Sequence, residues 1–284
     1  MSITVSALFV YPIKSAAGTA VDAIELDEFG PMHDRHWMLV DGNDRFMSQR
    51  EAGALALIRP TLHGDGLLLQ REGQQPYHVS RPLADAPSRL VTIWDDVVPA
   101  LDAGDDAAAW CTAATGMECR LVNMAPYARR PLQHKYAGPL DSAERFVSLN
   151  DGAPMLILGE GSLTELNRRL EAKRVAPVGV DRFRPNVLLS GTSDQEEDTW
   201  LEINIGTESI GIGSRCGRCV MTTVNQQSGV RSSASVDEPG GEPLRTIASY
   251  RRDGGSVMFG MNATHRVPCV LRVGDVVTVV RKRD

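Results

Sequence analysis

The segment Gly213-Ser214-Arg215-Cys216-Gly217-Arg218-Cys219-Val220-Met221-Thr222-Thr223-Val224 packs two thiols and two guanidinium groups into five residues between apolar, β-branched runs. It reads as a reactive turn between two strands. Arg215 and Arg218 bias their neighbours toward thiolate, because positive charge favours the charged form of Cys, the form that ligates metals and attacks electrophiles. Gly213 and Gly217 let the backbone turn sharply or approach a ligand closely. Three other readings stay open. Half of a zinc site would need further ligands, and no second C-x-x-C or H-x₃₋₅-H follows. A redox-active pair would open a helix, whereas residues 220–224 read as strand. Two packed core thiols would suit the burial habit of free Cys, although two arginines inside the motif argue against it.

Outward from this turn the chain is mostly short β-type runs. Downstream, residues 228–242 are polar and rich in Gly and Ser, with Gly229 a turn glycine, and read as a mobile loop; residues 270–281 give closing strands around Gly274-Asp275. Upstream, residues 201–213 alternate as strand, turn and strand. Arg182-Phe183-Arg184-Pro185-Asn186 precedes the strand 187–189, and Pro185 is expected to hold Arg184 extended, so that Arg184 and Asn186 share one face. Asn150-Asp151-Gly152-Ala153-Pro154 leads into the apolar run 155–158. Between these, Ser162 and Glu165 fit a capping box for a helix to about residue 173, with Leu163, Leu166 and Leu170 as its stripe.

The first part of the chain follows the same pattern. Residues 3–11 form a strand ended by Pro12, and Lys14 and Ser15 then sit in a small-residue loop, either as anion donors or as an ordinary solvated turn. Arg35 stands at the entrance of an apolar strand closed by Gly42-Asn43-Asp44. Further β-like runs fall at 55–58, 67–70, 77–80, 90–93 and 97–101, with Gly64-Asp65-Gly66 as a hairpin connection. A helix is expected over 105–114, acidic at its start and followed by Gly116. Residues 126–139, turn-rich and basic, read as a solvated connection between two halves. The expected fold is mainly β (α+β), with an N-terminal β-barrel domain over 1–125, the connection over 126–139 and a second barrel domain with a few helices over 140–284.

Composition narrows the function classes. The 284 residues, 42% of them hydrophobic, suffice for one large or two modest cores. A net charge of −6 gives no general attraction to a nucleic acid polymer or an anionic membrane, so any anion site must be a local gathering of Arg and Lys. Five cysteines, without a basic and then apolar leader, point to a reducing, cytoplasmic setting. No apolar run is long enough to cross a bilayer.

Seven stretches then resemble, in order, the MOSC-domain family that carries an N-terminal β-barrel partner and includes the mitochondrial amidoxime-reducing component. They are Tyr11-Pro12-Ile13-Lys14-Ser15, Asp34-Arg35-His36-Trp37, Phe46-Met47-Ser48-Gln49-Arg50, Arg182-Phe183-Arg184-Pro185-Asn186, Cys216-Gly217-Arg218-Cys219 with Thr222-Thr223-Val224, Phe259-Gly260-Met261-Asn262 and Val273-Gly274-Asp275. The resemblance implies a molybdenum cofactor (Mo-molybdopterin), with Cys219 as the metal-ligating thiolate and Cys216 a neighbour of uncertain role. It implies phosphate and pterin contacts from Lys14, Ser15, Arg35, Arg184, Asn186 and Arg218, since a buried phosphate needs several charge-assisted donors. Gly152, Gly217 and Asn262 fall at further cofactor positions. Asp151 lies where the family has a carboxylate beside the metal.

The activity so implied is reduction of N-hydroxylated compounds such as amidoximes and hydroxylamines. Electrons would come from a separate flavin, haem or iron–sulfur protein, because the chain shows neither a cluster-binding cysteine spacing nor a G-x-G-x-x-G nucleotide turn. The alternative is a sulfur carrier or cofactor-handling module bearing a persulfide on Cys219, with no pyridoxal phosphate bound.

Overall fold

The computed structural model describes residues 2–139, 145–232, 241–266 and 268–283. Its largest element is a closed seven-stranded barrel, in which Met155–Gly159, Val187–Ser190, Ile3–Val10, Val276–Lys282, Trp200–Ile205, Glu208–Arg218 and Ser256–His265 follow one another around the wall. Ser256–His265 closes it by pairing back onto Met155–Gly159, with Met261 opposite Ile157. Neighbours run antiparallel, apart from Met155–Gly159 and Val187–Ser190, which are parallel. Parallel strands need a long crossover, and the helix Glu160–Ala172 lies within it.

Alternation fills the barrel. Ile203 and Ile205 on one strand, and Ile210 and Ile212 on the next, point inward with Met261 and Val277. On Ile3–Val10 the buried positions are Val5, Leu8 and Val10. The step of three comes from a bulge between Val5 and Ala7, which resets the inward phase.

The N-terminal half is layered around the strand Trp37–Val40, all four residues of which are buried. Trp37 and Leu39 pack on the side of the helix Asp105–Thr115 and the meander of Arg59–His63, Gly66–Arg71 and Gln74–Val79. Met38 and Val40 pack on the other side, with Val91, Val98 and Val122. A sheet of order Trp37–Val40, Arg120–Met124, Asp96–Asp102 and Ser88–Ile93 runs through the middle. The chain is thus mainly β with three α-helices among the described residues, none long and apolar enough to cross a membrane. The two halves are interlaced, because Ile3–Val10 is a wall of the large barrel and Ala23–Asp27 pairs with Cys269–Arg272.

Most of the expected elements are present, and four local readings change. Residues 53–57 form a 3-10 turn instead of a strand. The helix near residue 162 begins at Glu160, so Ser162 bonds Glu197 at 2.8 Å and Glu165 holds Arg168 and Arg169; no capping box forms. Residues 220–223 are a 3-10 turn and the strand before them runs on to Arg218, so Cys216 lies in a strand and Cys219 just past its end. The connection 126–139 is not simply solvated: Arg130 is buried, pairs with Asp96 at 2.7 Å and donates to the carbonyls of Ser148 and Asn150. Gly229 does take a turn conformation, at φ 68°, while residues 233–240 of the expected mobile loop lie outside the described residues.

Candidate functional site

A cavity of about 510 Å³ opens between the two halves. The end of the strand Glu208–Arg218 brings Cys216, Gly217, Arg218 and Cys219 to it, and Asn262 comes from the paired strand. The loop after Ile3–Val10 brings Lys14 and Ser15, and the residues before Trp37–Val40 bring Arg35. Asp151 and Gly152 precede one barrel strand, Arg184 and Asn186 another. The eleven residues that the family resemblance marks as cofactor contacts, metal ligand or nearby carboxylate therefore line one cavity, with Cys216 beside them.

Its electrostatics are those of an anion receptor. Lys14, Arg35, Arg50, Arg182, Arg184 and Arg218 open onto the cavity, and carboxylates reach it from Asp95 and Asp151. This is the local concentration that a chain of net charge −6 requires. The Tyr11 ring holds two of the cations together: the guanidinium groups of Arg35 and Arg184 each lie 4.3 Å from its centroid. Arg35 also pairs with the buried Asp34 and donates to Asn186 Oδ1 at 3.2 Å and to the Arg184 carbonyl at 3.3 Å. Burial, and after it the Arg35 charge, lowers Arg184 to about 10. Nη2 of Arg184 and Nη2 of Arg218 are buried without a partner among the described residues. Two guanidinium nitrogens left idle in this way are costly unless an anion meets them.

The backbone is bent to make the cradle. Ser15, Arg35, Trp94 and Arg184 have φ of 66°, 52°, 56° and 56°, a region that costs non-glycine residues about 1–2 kcal/mol each. The extended conformation expected of Arg184 before Pro185 is overturned here. Its N–H bonds the Val180 carbonyl at 3.3 Å, closing the preceding 3-10 turn and folding the side chain over Tyr11. Arg184 and Asn186 still meet, through Arg35. Gly152 is fitted more tightly: a Cβ there would come within 2.1 Å of the Tyr136 ring.

The two cysteines differ. The carbonyl of Cys219 accepts from both N–H and Oγ1 of Thr222 at 3.1 Å, which fixes the residue at the mouth of its turn. Arg50 Nη2 lies 3.2 Å from its sulfur. Burial pushes the Cys216 thiol up, against the opposing charge of Arg218, so the expected bias toward thiolate does not hold for Cys216. Arg215 plays no part, because one step along a strand reverses the side chain; it turns to Asp198 at 2.9 Å and Asp253 at 3.6 Å. Among the described residues no three His, Cys, Asp or Glu side chains gather as a metal cluster, so the zinc reading finds no ligand set.

Asp151 joins both halves. Its Oδ1 accepts from Lys14 Nζ at 2.5 Å and from Trp94 Nε1 at 3.2 Å. Partial loss of water around the carboxyl pushes it up, but Lys14, Arg50 and the indole outweigh this and hold it well below the usual carboxylate range. Burial brings Lys14 down to about 8, with Asp151 pulling the other way. Sequence reasoning assigned no role to Arg50, Trp94 or Arg182. Arg50 sat inside a quoted stretch, whereas an aromatic residue in a hairpin turn gave Trp94 no signal at all.

The family profile described as "MOSC N-terminal beta barrel domain" matches residues 2–118, and that described as "MOSC domain" matches residues 144–278. The mitochondrial amidoxime-reducing component 1 of Mus musculus is 31% identical over 286 residues, 96% of this chain and 81% of that protein. The mitochondrial amidoxime reducing component 2 of Bos taurus is 33% identical over 254 residues, 87% of this chain and 72% of that protein. A molybdenum cofactor sulfurase of Danio rerio is 29% identical over 280 residues, 93% of this chain but 32% of its own length. With both domains matched and the two amidoxime-reducing relatives covered over most of their length, the chain belongs to the MOSC-domain family, in the branch that joins a MOSC N-terminal β-barrel domain to a MOSC domain.

Proposed function

We propose that this chain is a molybdenum-cofactor-dependent oxidoreductase that reduces N-hydroxylated compounds with electrons from a separate flavin, haem or iron–sulfur protein. The observation that carries the reading is the placing of a free cysteine, Cys219, in the same cavity as two guanidinium groups with idle, buried nitrogens. A dithiolene cofactor with a phosphate tail asks for that donor set: one soft thiolate at one end and several cationic donors at the other. The residues present fit the group.

In this reading Arg184, Arg218, Lys14, Arg35 and Ser15 would hold the phosphate and pterin, with Asn186, Asn262 and the backbone of Gly152 and Gly217 completing the contacts. Cys219 would supply the protein's metal ligand. The cofactor, when bound, supplies a two-electron centre, so that the N-hydroxyl compound, two electrons and two protons give the N–H compound and water. Asp151 stays ionised at neutral pH, so it serves as an acceptor for a substrate N–H or for the water that relays protons. Arg50 steadies the Cys219 sulfur. We place the protein in the cytoplasm, with no nucleic acid or membrane partner, and retain 1–125, 126–139 and 140–284 as its working domain division.

The test is metal analysis of protein purified from a molybdenum-replete host, followed by assay with reduced viologen and an amidoxime. About one molybdenum per chain and amidine formation support the reading. Absence of molybdenum, with cyanide-labile sulfur on Cys219, would replace it with the sulfur-carrier alternative.

A further inference from the structure

Trp94 occupies the first position of the two-residue connection between Ser88–Ile93 and Asp96–Asp102, where Ile93 and Asp96 pair. Its φ is 56°. Tight connections use Gly or Asn at such positions, and a bulky ring there is an outlier. Burial does not account for it, since Trp94 is 40% exposed. The ring is nevertheless fixed, 4.9 Å from the Phe46 ring and 4.8 Å from the Arg50 guanidinium.

The indole N–H supplies a reason for the unfavourable turn. It donates at 3.2 Å to Asp151 Oδ1, the oxygen that also accepts Lys14 at 2.5 Å. No donor among the described residues reaches Oδ2, and the Asp151 side chain is 58% exposed. One oxygen is pinned from two directions and the other is left for what enters the cavity. The same tryptophan rests on Arg50, whose Nη2 touches the Cys219 sulfur. Backbone strain of this kind persists where the surroundings over-determine it, and it clusters at working sites.

We propose that Trp94 is a positioning residue: its indole N–H fixes the Asp151 carboxylate relative to Cys219, so that Oδ2 meets the N–H or O–H of the bound substrate. The proposal rests on the reductase reading for the substrate, but the hydrogen bond can be tested without turnover. The chain has four tryptophans, and Trp94→Phe deletes one of four indole N–H signals in ¹⁵N-labelled protein. Asp151→Ala is expected to move that signal and leave the other three in place. A signal that ignores Asp151→Ala overturns the proposal.

The second test uses holoenzyme with reduced methyl viologen and benzamidoxime. Trp94→Phe keeps a ring against Phe46 and Arg50 while removing the donor, so kcat should fall roughly tenfold with KM changed by less than about twofold. Molybdenum per chain should be unchanged, and the substitution should add nothing in an Asp151→Ala background. Additive losses, or a rise in KM alone, overturn the proposal, because they make Trp94 a wall of the cavity and not the holder of Asp151. If the parent protein holds no molybdenum and reduces nothing, the reductase reading fails while the indole signal still decides the hydrogen bond.

Discussion

Arg50 Nη2 and Cys219 Sγ lie 3.2 Å apart, although 169 residues separate them in sequence. The thiol at the end of a barrel strand is thus steadied by a guanidinium from the other half of the molecule, which is itself stacked on Trp94. Arg50→Ala should lower both molybdenum per chain and reductase activity, the activity by about tenfold, the scale of a lost charged hydrogen bond. Arg50→Lys should recover part of the loss, since an ammonium keeps the charge but not the planar stacking. Metal analysis after gel filtration and viologen-driven assay check both.

Cys219→Ser should abolish molybdenum-dependent activity, because a hydroxyl is a poor soft-metal ligand. Cys216→Ser should leave most of it, since the Cys216 thiol is pushed up by burial and, among the described residues, no cation donates to its sulfur as Arg50 does to that of Cys219. Equal loss in the two variants, measured side by side, would show that the cysteines share the ligand role.

Arg184 is half-buried, close to the like charge of Arg35, and its buried Nη2 has no partner among the described residues. In cofactor-free protein this arrangement is destabilising, so Arg184→Met should hold or raise the melting temperature. In loaded protein the order should reverse, with the variant losing cofactor on gel filtration, because a charged donor to the phosphate is worth about 2–5 kcal/mol in comparable buried pairs. Thermal melts of both forms with phosphate and molybdenum content settle the point.

Lys14 gives a pH-dependent version of the same opposition. Its ammonium is brought from 10.5 to about 8 by burial, despite Asp151. Between these values the unfolded chain binds more protons at this position than the folded one, so stability from Lys14 rises with pH. Below about pH 8 both forms hold the proton and the penalty is constant. Cofactor-free Lys14→Met should therefore be more stable than its parent at pH 7, with the gap narrowing from about pH 8 to 10. Denaturant unfolding at several pH values measures it, and a gap that widens with pH would contradict the sign.

Gly152→Ala should destabilise the fold by about 1–3 kcal/mol through overpacking, because its Cβ would meet the Tyr136 ring at 2.1 Å. A thermal melt detects it. A neutral result would mean that the half-buried Tyr136 swings aside freely.

The site was legible mainly through the family stretches, since charge and turn patterns alone left Lys14 and Ser15 as either anion donors or an ordinary solvated turn. Lys14, Arg35, Arg184 and Arg218 stood beside β-runs whose ends meet at one cleft, and the family stretches named them in order. Alternation identified most strands, since half-buried β-structure writes a period of two into the chain. Side-chain direction was less legible. Arg215 and Arg218 looked equivalent beside the thiols, yet strand alternation sends Arg215 to Asp198. Arg130 looked like a solvated linker charge because its buried partners, Asp96 and the carbonyls of Ser148 and Asn150, are distant in sequence. Trp94 was invisible because its meaning lies in a left-handed turn and a hydrogen bond spanning 57 residues.

The placing of Ile3–Val10 between Val187–Ser190 and Val276–Lys282 has a consequence for how the protein is made. Ile3–Val10 is synthesised long before Val276–Lys282, which holds its first residues in the wall, so that part of the barrel waits on a strand made much later. Pairings so distant in sequence are slow to form. Lys14 and Ser15 directly follow that strand, and they come to rest opposite Cys219 only as the wall closes. The anion receptor we propose is therefore among the last features of the fold to form.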